Sequence, residues 1–248
     1  MYNPFSLVGK TILVTGASSG IGRSIAIECS KMGATIILTA RNKERLNETL
    51  SQMVGDGHSV IVADLHIEKE RRHLMENLPM LHGLVNCAGV VKTLPFSFIN
   101  SEALTSVMNV NFTAPVLISA ELIKRKKIIK NGSIVFISSV AGVASVSMGN
   151  SIYSASKGAI NGVAKNMALE LASKGIRVNC VNPGAIETHI LDDGIITKEQ
   201  LEESKKHYPL KRFGKPEEVA FAVIYLLSDA SSWVTGSNLF IDGGFTLL

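Results

Sequence analysis

The sequence predicts a doubly wound α/β domain, and three observations carry that expectation. Apolar runs of strand length alternate with segments of helical period along the whole chain. The strand runs are continuous and β-branched, the pattern of strands buried on both faces of a parallel sheet. No internal repeat, low-complexity tract or Pro/Gly-rich linker interrupts the 248 residues, so a single domain over 1–248 is expected.

The elements follow in order. "TILVTG" gives the first strand and residues 21 to 32 the first helix; "TIILTA" and 42 to 53 form the second pair, "SVIVADL" and 68 to 77 the third. "GLVNCAG", "SIVFISS", "IRVNCVNPG" and "NLFIDGG" supply the remaining strands, again separated by helical stretches. The expected sheet is seven-stranded and mostly parallel, in the order 3-2-1-4-5-6-7, with helices on both faces. One segment differs in texture. Residues 189–209, "HILDDGIITKEQLEESKKHYP", are polar and inserted between a strand end and the next core helix. They read as a plain surface excursion or, preferably, as a lid over a site, with Leu191, Ile195, Ile196, Asp192 and Asp193 at its tip.

Composition narrows the classes. With 46% hydrophobic and 19% charged residues, the chain can build a core without staples. Cys29, Cys87 and Cys180 are odd in number and widely spaced, so neither a disulfide framework nor a metal site is expected. That usage fits a reducing cytoplasm. The N-terminus, "MYNPFSLVGK", has no signal-like pattern, and no apolar run is expected to reach bilayer length. The expectation is a soluble cytoplasmic protein without a membrane partner. The net charge of +4 includes the cluster Lys124-Arg125-Lys126-Lys127, with Lys130 beyond it. These cations read as a solvated helix C-terminus, or as a patch for an acidic partner. Nucleic acid is not expected, since no aromatic-interleaved basic motif accompanies them.

After the first strand comes Thr15-Gly16-Ala17-Ser18-Ser19-Gly20-Ile21-Gly22, followed at once by a helix. Strand, glycine turn and helix N-terminus together bring backbone N–H groups and a helix dipole to a pyrophosphate. The spacing G-x-x-x-G-x-G is a variant of the dinucleotide fingerprint of Rossmann units. Gly16 to Gly20 also match G-x-S-x-G, the nucleophile elbow of hydrolases. That reading lacks an earlier strand to complete an oxyanion hole, and no histidine follows in a recognisable catalytic setting.

The second strand ends in Ala40-Arg41, where an NAD-binding unit would carry an acid. A guanidinium there suits a 2′-phosphate and favours NADP(H), unless Arg41 merely opens a solvated helix. Asp64-Leu65, closing the third strand, would flank the adenine. Polar exceptions cluster at other strand ends: Asn86, Ser138-Ser139 and Asn182-Pro183-Gly184. Each alone is ordinary turn chemistry, but with Tyr153 and Lys157 opening the next helix they describe a polar crevice facing the glycine turn.

"TGASSGIG", "NCAG", "ISSVAG", "YSASK", "VNPGAIET" and "VTGSNLFIDGG" stand in the order of the short-chain dehydrogenase/reductase family, which the chain resembles over essentially its whole length. The resemblance implies a catalytic set of Asn111, Ser139, Tyr153 and Lys157. It implies cofactor contacts from Gly16, Ser18, Ser19, Gly20, Ile21, Gly22, Arg41, Asp64, Leu65, Asn86, Ala88, Gly89, Tyr153, Lys157, Pro183, Gly184, Ile186 and Thr188. Where the family usually has Asn-Asn-Ala-Gly, this chain has Asn86-Cys87-Ala88-Gly89, and Cys87 reads as a packing residue.

Tyr153 and Lys157 lie at i and i+4, one above the other on a helix face. Reducing a carbonyl places negative charge on its oxygen, where a proton must arrive. A phenol holds its proton to about pH 10, and a neighbouring ammonium favours the phenolate. Tyr153 is therefore the expected general acid for reduction, with Lys157 tuning it and, as the family implies, holding the nicotinamide ribose. Ser139 is placed to stabilise the oxyanion, and Asn111 to position water in a relay to Lys157. The C-terminal half resembles 3-oxoacyl-[acyl-carrier-protein] reductases, in which basic residues near the entrance dock the acidic carrier. Lys130 and Lys174 fall at or near the matching positions. A 3-oxoacyl thioester is thus the expected substrate, with acyl carrier protein as a partner. The short connection between Asp64 and Asn86 instead resembles reductases of small ketones, sugars or polyols. A non-catalytic NADP(H) sensor is the alternative from another class. Family members usually form tetramers, and small residues on the Tyr153 helix (Ala155, Gly158, Ala159, Gly162, Ala168) suit close helix approach, so a homotetramer is expected.

Overall fold

The computed structural model describes residues 2–188 and 197–248. Its strands are β1 (Thr11–Thr15), β2 (Thr35–Thr39), β3 (Ser59–Val60), β4 (Leu81–Asn86), β5 (Ile128–Ile137), β6 (Arg177–Pro183) and β7 (Asn238–Ile241). They pair in the order β3-β2-β1-β4-β5-β6-β7, and every pairing is parallel. The helices are α1 (Gly20–Lys31), α2 (Lys43–Ser51), α3 (Glu68–Asn77), α4 (Ser101–Met108), α5 (Ala114–Lys124), α6 (Ser151–Leu171), α7 (Lys198–Lys206) and α8 (Pro216–Leu227).

The continuous apolar strands are explained by two cores, one on each face of the sheet. Ile12, Val14, Ile36, Leu38, Val85, Val135 and Val181 pack with α1 and α8. Their neighbours Leu13, Ile37, Leu84, Ile134, Phe136 and Cys180 pack with α3, α5 and α6. Each fully buried aliphatic side chain contributes about 1.5–3 kcal/mol relative to exposure, so both faces must be covered for the sheet to persist. The carboxyl ends of β1, β4, β5 and β6 then open on one side, which is where the crevice forms.

Three features depart from the sequence expectations. The third strand pairs only at Ser59 and Val60, because β3 is an edge with one neighbour; beyond it only the Ile61 and Ala63 N–H groups still reach β2 and its end, at Leu38 O and Ala40 O. Ser101–Lys124 forms one helical run of 24 residues, long and apolar enough by length and composition to cross a membrane, which the sequence reading did not anticipate. Its buried stripe, Ala103, Val107, Asn111, Ala114, Ile118 and Leu122, faces the protein interior. Residues 197–209, to which the sequence reading assigned no element, contain a helix: Thr197 and Gln200 form a capping box that starts α7, and Tyr208 is buried against Phe213 and Phe245. The anticipated lid tip, Leu191 to Ile196, lies outside the described residues.

The basic cluster closes α5. Arg125 pairs with Glu121 at 2.5 Å, Lys126 turns the chain with φ +56°, and the Lys127 ammonium donates to the Leu78 carbonyl.

Candidate active site

β1 ends at Thr15, whose hydroxyl accepts from the Cys87 and Ala88 N–H groups (3.0 and 3.1 Å) and donates to the Val85 carbonyl (3.3 Å). The ends of β1 and β4 are thereby tied at the point where the strand order reverses. Gly16 follows with φ +68°, and a Cβ there would lie 2.8 Å from Ala88 Cα. A Cβ on Gly22 would lie 2.2 Å from the Gly16 oxygen. Only glycine at both positions lets α1 begin against the turn. Arg23 holds the Ser18 carbonyl (2.8 Å) and Thr49 the Ala17 carbonyl (2.9 Å). Ser19, at the N-cap, makes no side-chain cap bond, and the first turn of α1 has no acidic residue. Among the described residues, no side chain takes the leading N–H groups of α1, and this cradle fits a pyrophosphate.

Arg41 is exposed just beyond β2 and makes no hydrogen bond or ion pair among the described residues. Its neighbour Asn42 caps α2 by accepting from Arg45 N–H (2.8 Å), which fixes where Arg41 leaves the strand. Asp64 is held by its own loop, accepting from His66 N–H at 2.9 Å, while its N–H donates to Glu70. Leu65 is buried beside it.

The catalytic candidates converge from three elements. Ser139, directly beyond β5, is buried and its hydroxyl accepts from Ala141 N–H (3.1 Å), which leaves its own proton free to be donated. Tyr153 stands in the first turn of α6, and the Lys157 ammonium lies 5.7 Å from its ring centroid. That ammonium donates to the Ile137 carbonyl at 2.8 Å, so Lys157 is pinned to the last residue of β5. Gly89 faces the same point: its Cβ position is 3.5 Å from both Lys157 Nζ and Asn111 Oδ1.

Asn111 occupies a π-helical turn, Asn109–Thr113, between α4 and α5. Its Oδ1 accepts from Val90 N–H (2.8 Å), and its Nδ2 donates to Val90 O (2.9 Å) and Ser156 Oγ (3.1 Å). The amide thus clamps the loop after β4 onto α6, with both of its N–H donors committed. The main-chain carbonyl is different. Its α-helical donor would come from residue 115, and Pro115 has no N–H.

A family model described as enoyl-(acyl carrier protein) reductase matches residues 16–246. A tropinone reductase homolog of Arabidopsis thaliana is 39% identical over 98% of this chain and 94% of its own. The 3-oxoacyl-[acyl-carrier-protein] reductase of Rickettsia conorii is 35% identical over 98% of this chain and 99% of its own. Among solved structures, the NADP active-site complex of RhlG from Pseudomonas aeruginosa superposes with a TM-score of 0.91 at 30% identity, covering 99% of this chain and all of that one. This chain belongs to the short-chain dehydrogenase/reductase family.

The members of the site named from the sequence fare differently in this short-chain dehydrogenase/reductase. Gly16, Ser18, Ser19, Gly20, Ile21 and Gly22 form the turn, and Thr188 lies beside it, its Cγ2 3.3 Å from the Gly20 Cβ position. Pro183 and Gly184 end β6, with Pro183 O accepting from Val140 N–H and Gly184 N–H donating to Ile241 O (both 3.0 Å). Ile186 is buried and bridges to Gly214. Asn86 does not face the crevice: its Nδ2 donates to Ser119 Oγ of α5 at 3.2 Å. Burial pushes the Cys87 thiol up to about 12, which suits a packing residue. Sequence reasoning missed Thr15, Arg23 and Tyr208, the last of which accepts Ala185 N–H at 3.0 Å and braces the loop after β6. No local motif marks them, since their partners are 5 to 73 residues away.

Proposed function

We propose that the enzyme is an NADPH-dependent reductase that converts a carbonyl to a secondary alcohol. The observation that carries this reading is the convergence of Ser139, Tyr153 and Lys157 beside an uncapped, glycine-lined helix N-terminus. NADPH, when bound, supplies the hydride. Arg41 suits its 2′-phosphate, and the amides and hydroxyls of residues 16–22 suit its pyrophosphate. Ser139 donates its free proton to the substrate oxygen as charge grows there, and Tyr153 delivers the proton that completes the alcohol. Lys157 supports Tyr153 electrostatically and holds the ribose. A relay through Asn111 runs from its main-chain carbonyl, since both N–H donors of its side chain are committed to Val90 and Ser156 and Pro115 leaves that carbonyl without its α-helical donor.

The substrate reading is a 3-oxoacyl thioester, supported by the resemblance of the C-terminal half to the carrier-protein reductases. A small ketone is the second reading. It is favoured by the positions of Lys130 and Lys174: Asn131 and Gly175 abut, so both lysines sit where β5 and β6 begin, at the far end of the sheet from Ser139. The test is the initial rate of NADPH oxidation with 3-oxoacyl thioesters and a panel of small ketones. Tyr153→Phe should abolish turnover and leave NADPH binding nearly intact. Near-normal turnover in that variant refutes the assignment, and NADPH binding without oxidation of any carbonyl returns the sensor reading.

A further inference from the structure

Lys157 is fixed to β5 at two points. Its ammonium donates to Ile137 O, and its main-chain carbonyl accepts from Ser138 Oγ at 3.1 Å. The same carbonyl accepts from Asn161 Nδ2, one turn on, at 2.8 Å, and that Nδ2 also donates to Ser138 Oγ at 2.6 Å. Among the described residues, Asn161 is 6% exposed and its Oδ1 has no partner, and Asn182 is wholly buried with no partner for either Nδ2 or Oδ1.

These unpaired atoms share one place in the fold. Val181 is in register with Ile137, and Ser138 N–H donates to Val181 O, so Asn182 stands beside Ser138 in the sheet. Adjacent strands lie about 4.8 Å apart, and side chains alternate between faces. Phe136 and Cys180, two residues earlier, both pack on the α6 side, so Ser138 and Asn182 face α6 as well. Two acceptors, Asn161 Oδ1 and Asn182 Oδ1, and one donor, Asn182 Nδ2, therefore meet beneath the Lys157 turn.

We propose that Asn161 and Asn182 hold one internal water that joins β6 to the turn of α6 carrying Lys157, making both asparagines positioning residues for the catalytic lysine. A water donates two protons and accepts others, which matches two acceptors and one donor, and buried waters typically make about three such bonds. The site is neutral and bordered by apolar side chains of the second core, which excludes a charged occupant. Asn161 with Ser138 holds the Lys157 carbonyl from β5; the water adds β6, so the lysine is set against both strands whose ends border the nicotinamide position. The positioning role rests on the reading of Lys157 as the ribose ligand, whereas the water site does not.

The test combines a high-resolution crystal structure of the wild-type protein with the variants Asn182→Leu and Asn182→Ser. The expected results are an ordered water bonded to both asparagines, NADPH binding weakened roughly ten-fold in Asn182→Leu with kcat reduced and carbonyl KM nearly unchanged, and substantial recovery in Asn182→Ser. A direct Asn161–Asn182 contact with no water overturns the site. Unchanged NADPH affinity and kcat in Asn182→Leu overturns the positioning role, whatever happens to the melting temperature. If Asn182→Leu fails to fold, the wild-type water and the serine variant decide. A wild-type protein that binds no NADPH sinks the reductase reading and the positioning role together, while the crystal structure still decides the water site.

Discussion

Replacing Asn111 with alanine should cost the enzyme its stability as well as its turnover. The side chain makes three hydrogen bonds, two to Val90 and one to Ser156, and is buried. At about 1 kcal/mol net per bond, their loss removes about 3 kcal/mol, and leaving the Val90 N–H and carbonyl without their Asn111 partner adds to that. For a chain of this length about 1 kcal/mol shifts the melting temperature by roughly 2–4 °C, so Asn111→Ala should melt roughly 10 °C lower. Asn111→Asp should fall between, since it keeps an acceptor for Val90 N–H and loses both donated bonds.

Differential scanning calorimetry of the cofactor-free protein at neutral pH measures the shift without reference to any substrate. A relay that used the side-chain amide would make the opposite demand: turnover lost, melting temperature kept. If Asn111→Ala melts within about 2 °C of the wild type, the clamp is wrong and the reasoning from three satisfied bonds to stability fails with it.

Other perturbations address other parts of the site. Arg41→Asp should weaken NADPH binding roughly 10- to 150-fold by removing a charge-assisted contact, and should improve NADH binding; fluorescence titration of both cofactors decides, and equal NADPH affinity would end the 2′-phosphate role. His82 accepts Thr11 N–H through Nδ1 (3.0 Å) and must be neutral to do so; desolvation and then Lys10 lower its pKa. The contribution is full above the ordinary histidine value of about 6.5 and is lost as pH falls towards the lower folded value, so the melting temperature should drop as pH falls below about 6.5, with a flatter slope in His82→Phe. An identical slope in the variant would remove His82 from the account. The exposed Ala155 and Gly162 on α6 suit a helix of a second copy, and light scattering should give a tetramer; a monomer throughout the concentration range removes that reading.

The fold was legible because its causes are local and repeated. Strand runs such as "TILVT" and "TIILT" are apolar at consecutive positions, and that pattern has one common solution, a sheet covered on both faces. The glycine turn was legible for a related reason: Gly16 and Gly22 are required by contacts of backbone with backbone, which leave a mark in the sequence whatever the ligand. What the side chains of Asn86 and Asn111 do was not legible. Asn86 was placed by motif in the crevice and Asn111 in a relay to Lys157; their amides bond Ser119, and Val90 and Ser156, partners whose positions depend on how α5 and α6 lie on the sheet. The short β3 and the membrane-like Ser101–Lys124 run escaped for the same reason, because edge position and buried stripe are properties of the assembled layers.

Lys130 and Lys174 illustrate how the structure changes the meaning of a correct residue match. Their neighbours Asn131 and Gly175 abut, so the two lysines lie on adjoining stretches of chain. Those stretches lie where β5 and β6 start, while Ser139 lies beyond the end of β5. From Ser133, where the two strands come into register, to Ser139 is about 20 Å of extended chain, and Lys130 lies further back. A carrier docked on this pair would have to thread its acyl group past the whole length of the sheet to reach its own protomer's Tyr153. The geometry is better served by a second copy whose crevice is brought beside the lysines. Carrier-protein docking and the tetramer are therefore one question: a monomeric enzyme leaves the lysines without a site to serve, and the substrate is then a free thioester or a small ketone.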